Sequence, residues 1–410
     1  MYWLRYRHKI CYGLTRINRR FAVDTLSWLC QLIAFDTTSR QSNLDLINYV
    51  ADYLESRKLS PWLAHNEKGD KANLFVTIPA ADGSTSGGIV LSGHTDVVPV
   101  DGQKWLSDPF AANIRDGRVY GRGSSDMKGF IASVLATVPD MQKTKLKVPL
   151  HIALSFDEEV GCLGAPVMLA ELEKRGLQPQ SCIVGEPTSM RMVVAHKGIH
   201  TFCCEVHGKN AHSSLTPDGV NAIEYAARLI VFINQLAQQL QQRADLDHAF
   251  DVPFATVSTG LIRGGTAINI VPDYCTFEFD YRNLPHMTVE ELTEPIRQYI
   301  ATTLLPAMQA VVPEASIKLT HNVQVPALND ANNQQLHALI TQLVDNKQQA
   351  KVAYATEGGQ FQNSGINTVV CGPGSITVAH KADEYIELEQ LERCDHFLRK
   401  LIQVQSLSFT

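Results

Sequence analysis

Short apolar runs that alternate with helical patterns limit the fold of this chain more than any other feature. Leu74 to Ile78, Gly88 to Ser92, Leu150 to Phe156 and Cys182 to Val184 have the length of buried strands. Between them, Met127 to Val138 and Ala165 to Arg175 repeat apolar residues at helical spacing. This alternation predicts an α/β domain with a largely parallel sheet. Open sheets of that class place their sites at the carboxyl ends of the strands. His94, Glu158, Glu159 and Glu186 each fall just past such an end. Upstream, Val23 to Ile33 and Leu44 to Glu55 read as helices, broken by Asp36-Thr37-Thr38-Ser39.

From about His196 the pattern changes. Strand Thr201 to Val206, helix Val220 to Gln239, strands Ala255 to Ile262 and Tyr274 to Tyr281, helix Val289 to Thr303 and strand Ser316 to Val323 spell β-α-β-β-α-β. That order predicts a ferredoxin-like α+β module. Helix Asn333 to Asp345 and strand Thr368 to Cys371 return to the first style, so residues 197–326 are expected as an insertion into a domain of residues 1–196 and 327–410. A length of 410 residues fits two domains. The Gln-rich stretch from Gln235 to Gln242 reads as the solvated end of a helix.

Composition removes several functional classes. Apolar content of 45%, charged content of 19% and a net charge of −6 suit a globular protein and provide no basic field for nucleic acid. The nine cysteines are scattered without a C-x-x-C, which points to reduced thiols in a reducing compartment and away from sulfur-bound structural zinc. No apolar run reaches the roughly 18 residues of a membrane span. A soluble, cytoplasmic protein is expected. The first 22 residues carry Arg5, Arg7, Lys9, Arg16, Arg19 and Arg20 with no acid before Asp24. They lack the apolar core of a secretory signal and read as a frayed extension or an upstream start rather than an organellar transit peptide.

The chemistry lies in the polar residues after the strands. Zinc and cobalt(II) accept imidazole and carboxylate, and two such ions about 3.5 to 4 Å apart can clamp a carbonyl and its attacking water. His94, Asp126, Glu159, Glu186 and His380 supply two imidazoles and three carboxylates, enough for two ions if one carboxylate bridges them. Asp96 is spaced to accept the other ring N–H of His94 and fix its tautomer. Glu158 is left over as a base. A loop histidine taken singly is more often structural or solvated than ligating, so the weight rests on the joint arrangement.

Other motifs lead nowhere. Ser125-Asp126-Met127-Lys128 fits S-x-x-K, but the companion motifs of that serine chemistry are missing. Gly121-x-Gly123 lacks the third glycine of a dinucleotide fingerprint, and no phosphate-binding P-loop occurs. Gly264-Gly265-Thr266 could bind an anion but reads more simply as a strand connection, and His207 reads as a surface residue.

Taken together, the motifs His94 to Pro99, Gly121 to Gly129, Ser155 to Gly161, Gly185 to Thr188 and Ala379-His380 closely resemble the dinuclear metallohydrolase family that includes aminoacylase, succinyl-diaminopimelate desuccinylase and glutamate carboxypeptidase. The resemblance runs from about Leu26 to Arg393. Glu186 to Met190, Ala195 to Gly198, Thr356 to Phe361, Gly372 to Ile376 and Asp383-Glu384-Tyr385 look most like its acetylornithine deacetylase branch. The resemblance implies that His94 and Glu186 hold one ion, Glu159 and His380 the other, and that Asp126 bridges them after a cis peptide to Met127. It makes Glu158 the base and the insertion a lid and dimerisation domain. In that domain His212 would stabilise the oxyanion, with substrate contacts from Asn269, Arg282 and Gly374. The implied reaction is hydrolysis of N-acetyl-L-ornithine, a step towards arginine, in a homodimer. A sister activity on N-acetylcitrulline, succinyl-diaminopimelate or another N-acyl amino acid is the alternative, and a catalytically dead metal-binding or dimeric scaffold is the rival that an intact Glu158 argues against. The family's Gln-Pro before Asp-Glu-Tyr is Lys381-Ala382 here.

Overall fold

The computed structural model describes Phe21 and residues 23–331 and 333–407, so all but Phe21 of the basic first 22 residues lie outside it. The chain divides into two compact units. The second comprises Ala195–Asn329 and Lys351–Ala355, and the first comprises the rest.

The first unit is built on a sheet in which Trp62–His65, Ala72–Ile78, Leu150–Ser155, Ile89–His94, Ser181–Pro187 and Asn367–Gly372 lie side by side in that order. The last four are mutually parallel, whereas Ala72–Ile78 and Trp62–His65 add antiparallel pairs at one side. Every residue of Ile89–His94, Leu150–Ser155 and Ser181–Pro187 is buried, the mark of strands covered on both faces. Helix Gly129–Lys143 contributes Phe130, Ile131, Val134, Leu135 and Val138 to this core, each worth about 1.5–3 kcal/mol if fully removed from water. It packs against Thr25–Ile33, whose first turn is capped by Asp24 accepting from the Ser27 N–H at 2.7 Å, and against Leu388–Val404. Gly185 has a packing reason of its own: a Cβ there would lie 2.0 Å from the Phe130 ring.

The sequence places several boundaries differently. His94 and Glu186 lie inside Ile89–His94 and Ser181–Pro187 rather than past their ends; His94 still pairs with Ser155 across the parallel ladder, which prolongs its strand. The helix expected from Met127 begins at Gly129, because Ser124–Lys128 forms a wider turn entered through Gly123 at φ 78°. Within that turn the Asp126–Met127 peptide is cis. Leu388–Val404 and the small sheet Asn113–Arg115, Arg118–Tyr120 and Tyr385–Glu387 are additional to the expected elements.

In the second unit Thr256–Gly264, Tyr274–Arg282, Ile199–His207 and Ser316–Val325 form an antiparallel sheet in that order, with helices Ala222–Gln241 and Glu290–Tyr299. This is the order of a ferredoxin-like module. Alternate residues of Ile199–His207 are buried, and Phe202, Cys204 and Val206 meet Phe277, Phe279, Leu229, Ile233 and Ile296 in one core. Asn221 caps the long helix through the N–H groups of Ile223 and Glu224. Gln235, Gln238, Gln239 and Gln241 are exposed near its end. Where the chain enters and leaves this unit, His196 and Leu328 exchange both backbone hydrogen bonds at 3.1 Å. Among the described residues, no helix is long and apolar enough to cross a membrane.

Candidate metal centre

Parallel register brings the strand ends to one level, and the polar residues gather there. Asp126 lies between two histidines: its Oδ1 is 3.1 Å from His94 Nε2 and its Oδ2 is 3.1 Å from His380 Nε2. Glu186 Oε1 stands 3.7 Å from His94 Nε2, and Glu159 Oε2 stands 3.1 Å from His380 Nε2. Each histidine thus has its own carboxylate, and one carboxylate faces both.

Asp96 and Glu158 differ from the sequence expectation. The ring N–H at His94 Nδ1 donates to the backbone carbonyl of Asp96 at 2.9 Å, whereas the Asp96 carboxylate is 3.6 Å away. That carboxylate instead accepts the N–H groups of Glu158 and Glu159 at 3.0 and 3.2 Å and the Ser39 hydroxyl at 2.7 Å, so it anchors the backbone of the paired acids. Glu158 also stands closer to the ligands than its sequence role implies: one ligand atom from each of His94, Glu158 and Glu186 lies within 4.8 Å of the others, as do atoms of His94, Asp126 and Glu159. The Cys162 thiol approaches Glu158 Oε1 at 3.4 Å.

The backbone here is unusual. Asp157 and His380 hold φ values of 53° and 63°, a left-handed conformation costly for a residue with a Cβ and found mostly where surroundings enforce it. Asp157 is held by Lys71, which also donates to the Ser39 carbonyl. Gly374, at φ 86°, passes so close to the turn at Asp126 that a Cβ would lie 2.4 Å from Ser125 Oγ.

Electrostatics distinguish the carboxylates. Burial works against ionisation of Asp126, but His380 and His94 outweigh it and hold the carboxyl below its usual range. Burial raises Glu158, Glu159 and Glu186, and negative neighbours add to the effect. His94 and His380 are raised in turn; Asp126 and then Glu159 push His380 up to about 10, whereas at His94 burial is overcome by the Asp126 carboxylate and the nearby Asp96 carboxylate. Buried acids therefore outnumber the groups that can neutralise them. Glu186 Oε1 has no hydrogen-bond partner among the described residues. An oxygen and imidazole donor set with an unsatisfied buried carboxylate fits divalent zinc or cobalt.

The remaining expected residues are placed as follows. His212 is exposed at the start of the turn Ser213–Asp218, where its Nδ1 lies 2.8 Å from Ser214 Oγ. The Asn269 carbonyl accepts the Ser213 N–H beside it. Arg282 ends Tyr274–Arg282 and is engaged through Nε by Asp280 at 2.9 Å. Gly265, at φ 77°, begins the connection from Thr256–Gly264 to Tyr274–Arg282, and His207 is exposed. Residues without an assigned role in the sequence reading are also built into the centre. Lys128 is fully buried, donates to the Phe35 carbonyl at 2.9 Å and is brought down to about 7 by burial. Glu357 is buried nearby and pushed up to about 7 by burial. Their presence in the quoted motifs was the available signal.

Comparison with known proteins identifies the family. Residues 90–404 match the model of Peptidase family M20/M25/M40. The chain is 37% identical over 354 residues to an acetylornithine deacetylase of Shigella sonnei (strain Ss046), covering 85% of this chain and 87% of the relative. It is 34% identical over 371 residues to an acetylornithine deacetylase of Proteus mirabilis (strain HI4320), covering 90% and 92%. A metallo-carboxypeptidase of the M20 family from Sulfolobus solfataricus has the same fold, with a TM-score of 0.72 at 18% identity over 93% of this chain and 99% of that one.

Proposed function

The chain belongs to peptidase family M20/M25/M40, and we propose that within this family it is a metal-dependent deacetylase that hydrolyses N2-acetyl-L-ornithine to L-ornithine and acetate. The observation that carries the chemistry is Asp126, whose two oxygens face His94 and His380 separately. In this reading His94 and Glu186 hold one divalent ion, Glu159 and His380 hold a second, and Asp126 is shared. The ions, when bound, would polarise the acyl carbonyl and acidify a water. The chain supplies the rest. Glu158, whose carboxyl is raised by burial and by Glu159, takes up the water's proton and gives it to the departing α-amine. Asp96 holds the backbone from which Glu158 and Glu159 project. His212 acts on the developing oxyanion, and Asn269, Arg282 and Gly374 contact substrate.

The names and identities of the curated relatives support this substrate, and the reaction is then a step towards arginine. A cytoplasmic homodimer completes the proposal. Its support is the outer strand Thr256–Gly264, which leaves Leu261 and Ile262 exposed along an edge available for pairing. The test is acetate release from a panel of N-acyl amino acids with zinc or cobalt added. N-acetylornithine should give the highest kcat/KM; a higher value for succinyl-diaminopimelate or N-acetylcitrulline would move the assignment to that sister activity.

A further inference from the structure

We propose that Glu384, with Arg122 and Gln103, is a positioning network that sets the distance between the two metal-binding positions. The inference rests on Asp126 and His380 being ligands. Glu384 is 1% exposed and uses both oxygens fully. Its Oε1 accepts the N–H groups of Ser125 and Asp126 at 2.9 and 3.1 Å, which fixes the turn that presents the Asp126 carboxylate. Its Oε2 accepts Arg122 Nη1 at 2.7 Å and the Gly123 N–H at 3.1 Å. Arg122, itself 1% exposed, then reaches towards the other ligand: Nη1 donates to the Lys381 carbonyl at 3.3 Å, and Nη2 donates to Gln103 Oε1 at 2.6 Å. Gln103 Nε2 closes the path by donating to the His380 carbonyl at 3.0 Å. One continuous set of hydrogen bonds therefore runs from the backbone N–H of Asp126 to the backbone carbonyl of His380, whose φ is 63°. A buried ion pair that served only to fill space would not need this reach.

The chemistry of position 384 is restrictive. Each oxygen meets two donors, so a glutamine would turn its NH₂ against N–H groups whichever way it lay. Aspartate keeps the charge for Arg122 but withdraws the carboxylate from the turn by about one bond length. Outer partners of metal ligands typically alter ion affinity by about 10- to 100-fold.

The full chain, stripped with chelator, is titrated with Zn²⁺ and with Co²⁺ alone, the cobalt form being followed by its visible absorption bands. Glu384→Asp and Gln103→Ala should each weaken binding at one or both positions by about 10- to 100-fold and alter the cobalt bands. Leu54→Ala, which removes a buried side chain from helix Leu44–Ser56, should lower the unfolding midpoint yet leave ion affinity unchanged. Asp126→Asn and His380→Ala are measured in parallel. If these two bind ions like the parent, the ligand reading fails. If they are impaired while Glu384→Asp and Gln103→Ala bind normally, the positioning inference alone is overturned.

Discussion

His200 is the clearest place to connect pH with stability. Its Nε2 lies 3.1 Å from Asn283 Oδ1, and its Nδ1 lies 3.1 Å from His321 Nε2. Asn283 donates its Nδ2 hydrogens to the carbonyls of Leu284 and Met287, so Oδ1 is the acceptor and His200 must carry its proton on Nε2. Nδ1 is then a lone pair that accepts from His321. A second proton on His200 would set N–H against N–H. Burial, reinforced by His321, brings His200 down to about 4 from an ordinary 6.5. As pH falls through about 6.5, the unfolded chain takes up a proton on this imidazole and the folded chain does not until about 4. Stability supplied by neutral His200 is therefore complete above 6.5 and falls as pH drops through that window. A difference of about 2.5 units corresponds to about 3 kcal/mol at most. The assay is urea unfolding between pH 7 and 4, read by hydrogen exchange in Ile199–His207 and Ser316–Val325. His200→Gln, which can accept from His321 and donate to Asn283, serves as the reference, because subtraction removes the titrating groups that do not touch position 200. The parent should lose about 2–3 kcal/mol more than the variant across the window. A difference below about 1 kcal/mol would falsify the tautomer argument.

Other expectations concern the centre. Glu158→Gln should keep close to the parent's ion content, measured by metal analysis, yet lose about 10²- to 10⁴-fold in kcat; near-normal turnover would remove Glu158 from proton transfer. Gly374→Ala should cost about 1–3 kcal/mol by thermal unfolding, from the left-handed φ and the approach to Ser125 Oγ, and unchanged stability would mean that the turn yields freely. If His212 acts in the partner's site, inactive His212→Ala and Glu158→Gln homodimers should regain up to about half of parental activity per mixed dimer after subunit exchange, provided that the sites act independently. No recovery after verified exchange would confine His212 to its own subunit or exclude it.

The readable parts of the sequence were those governed by local burial. Strands hidden on both faces must be apolar throughout, so Ile89–His94 and Leu150–Ser155 stood out, and His94 and the paired acids could be placed at their ends. In Ile199–His207, by contrast, alternation carried the signal. Leu388–Val404 escaped although Leu391, Cys394, Leu398 and Leu401 recur at helical spacing, because Glu, Arg, Asp and His residues between them mask the stripe. The three-residue strands Asn113–Arg115 and Arg118–Tyr120 are too short to show any period. In the centre, residue types announced the ligand candidates, but not which atom of Asp96 meets His94. Nor could Glu384 or Lys128 be recognised as buried, since their partners come from loops far away in the chain.

The pairing of His196 with Leu328 has a consequence for ancestry and engineering. A segment whose two ends already touch can be spliced into a host at a single loop while asking little of the host's own chain path, since the gap to be spanned is no wider than a hairpin. Residues 196–328, the bulk of the second unit without Lys351–Ala355, are thus a cassette with a clasped mouth. A short turn joining residue 195 to residue 329 would leave a host that retains every proposed metal ligand, and the excised cassette could be rejoined through its own neighbouring ends into a circle or given new termini elsewhere.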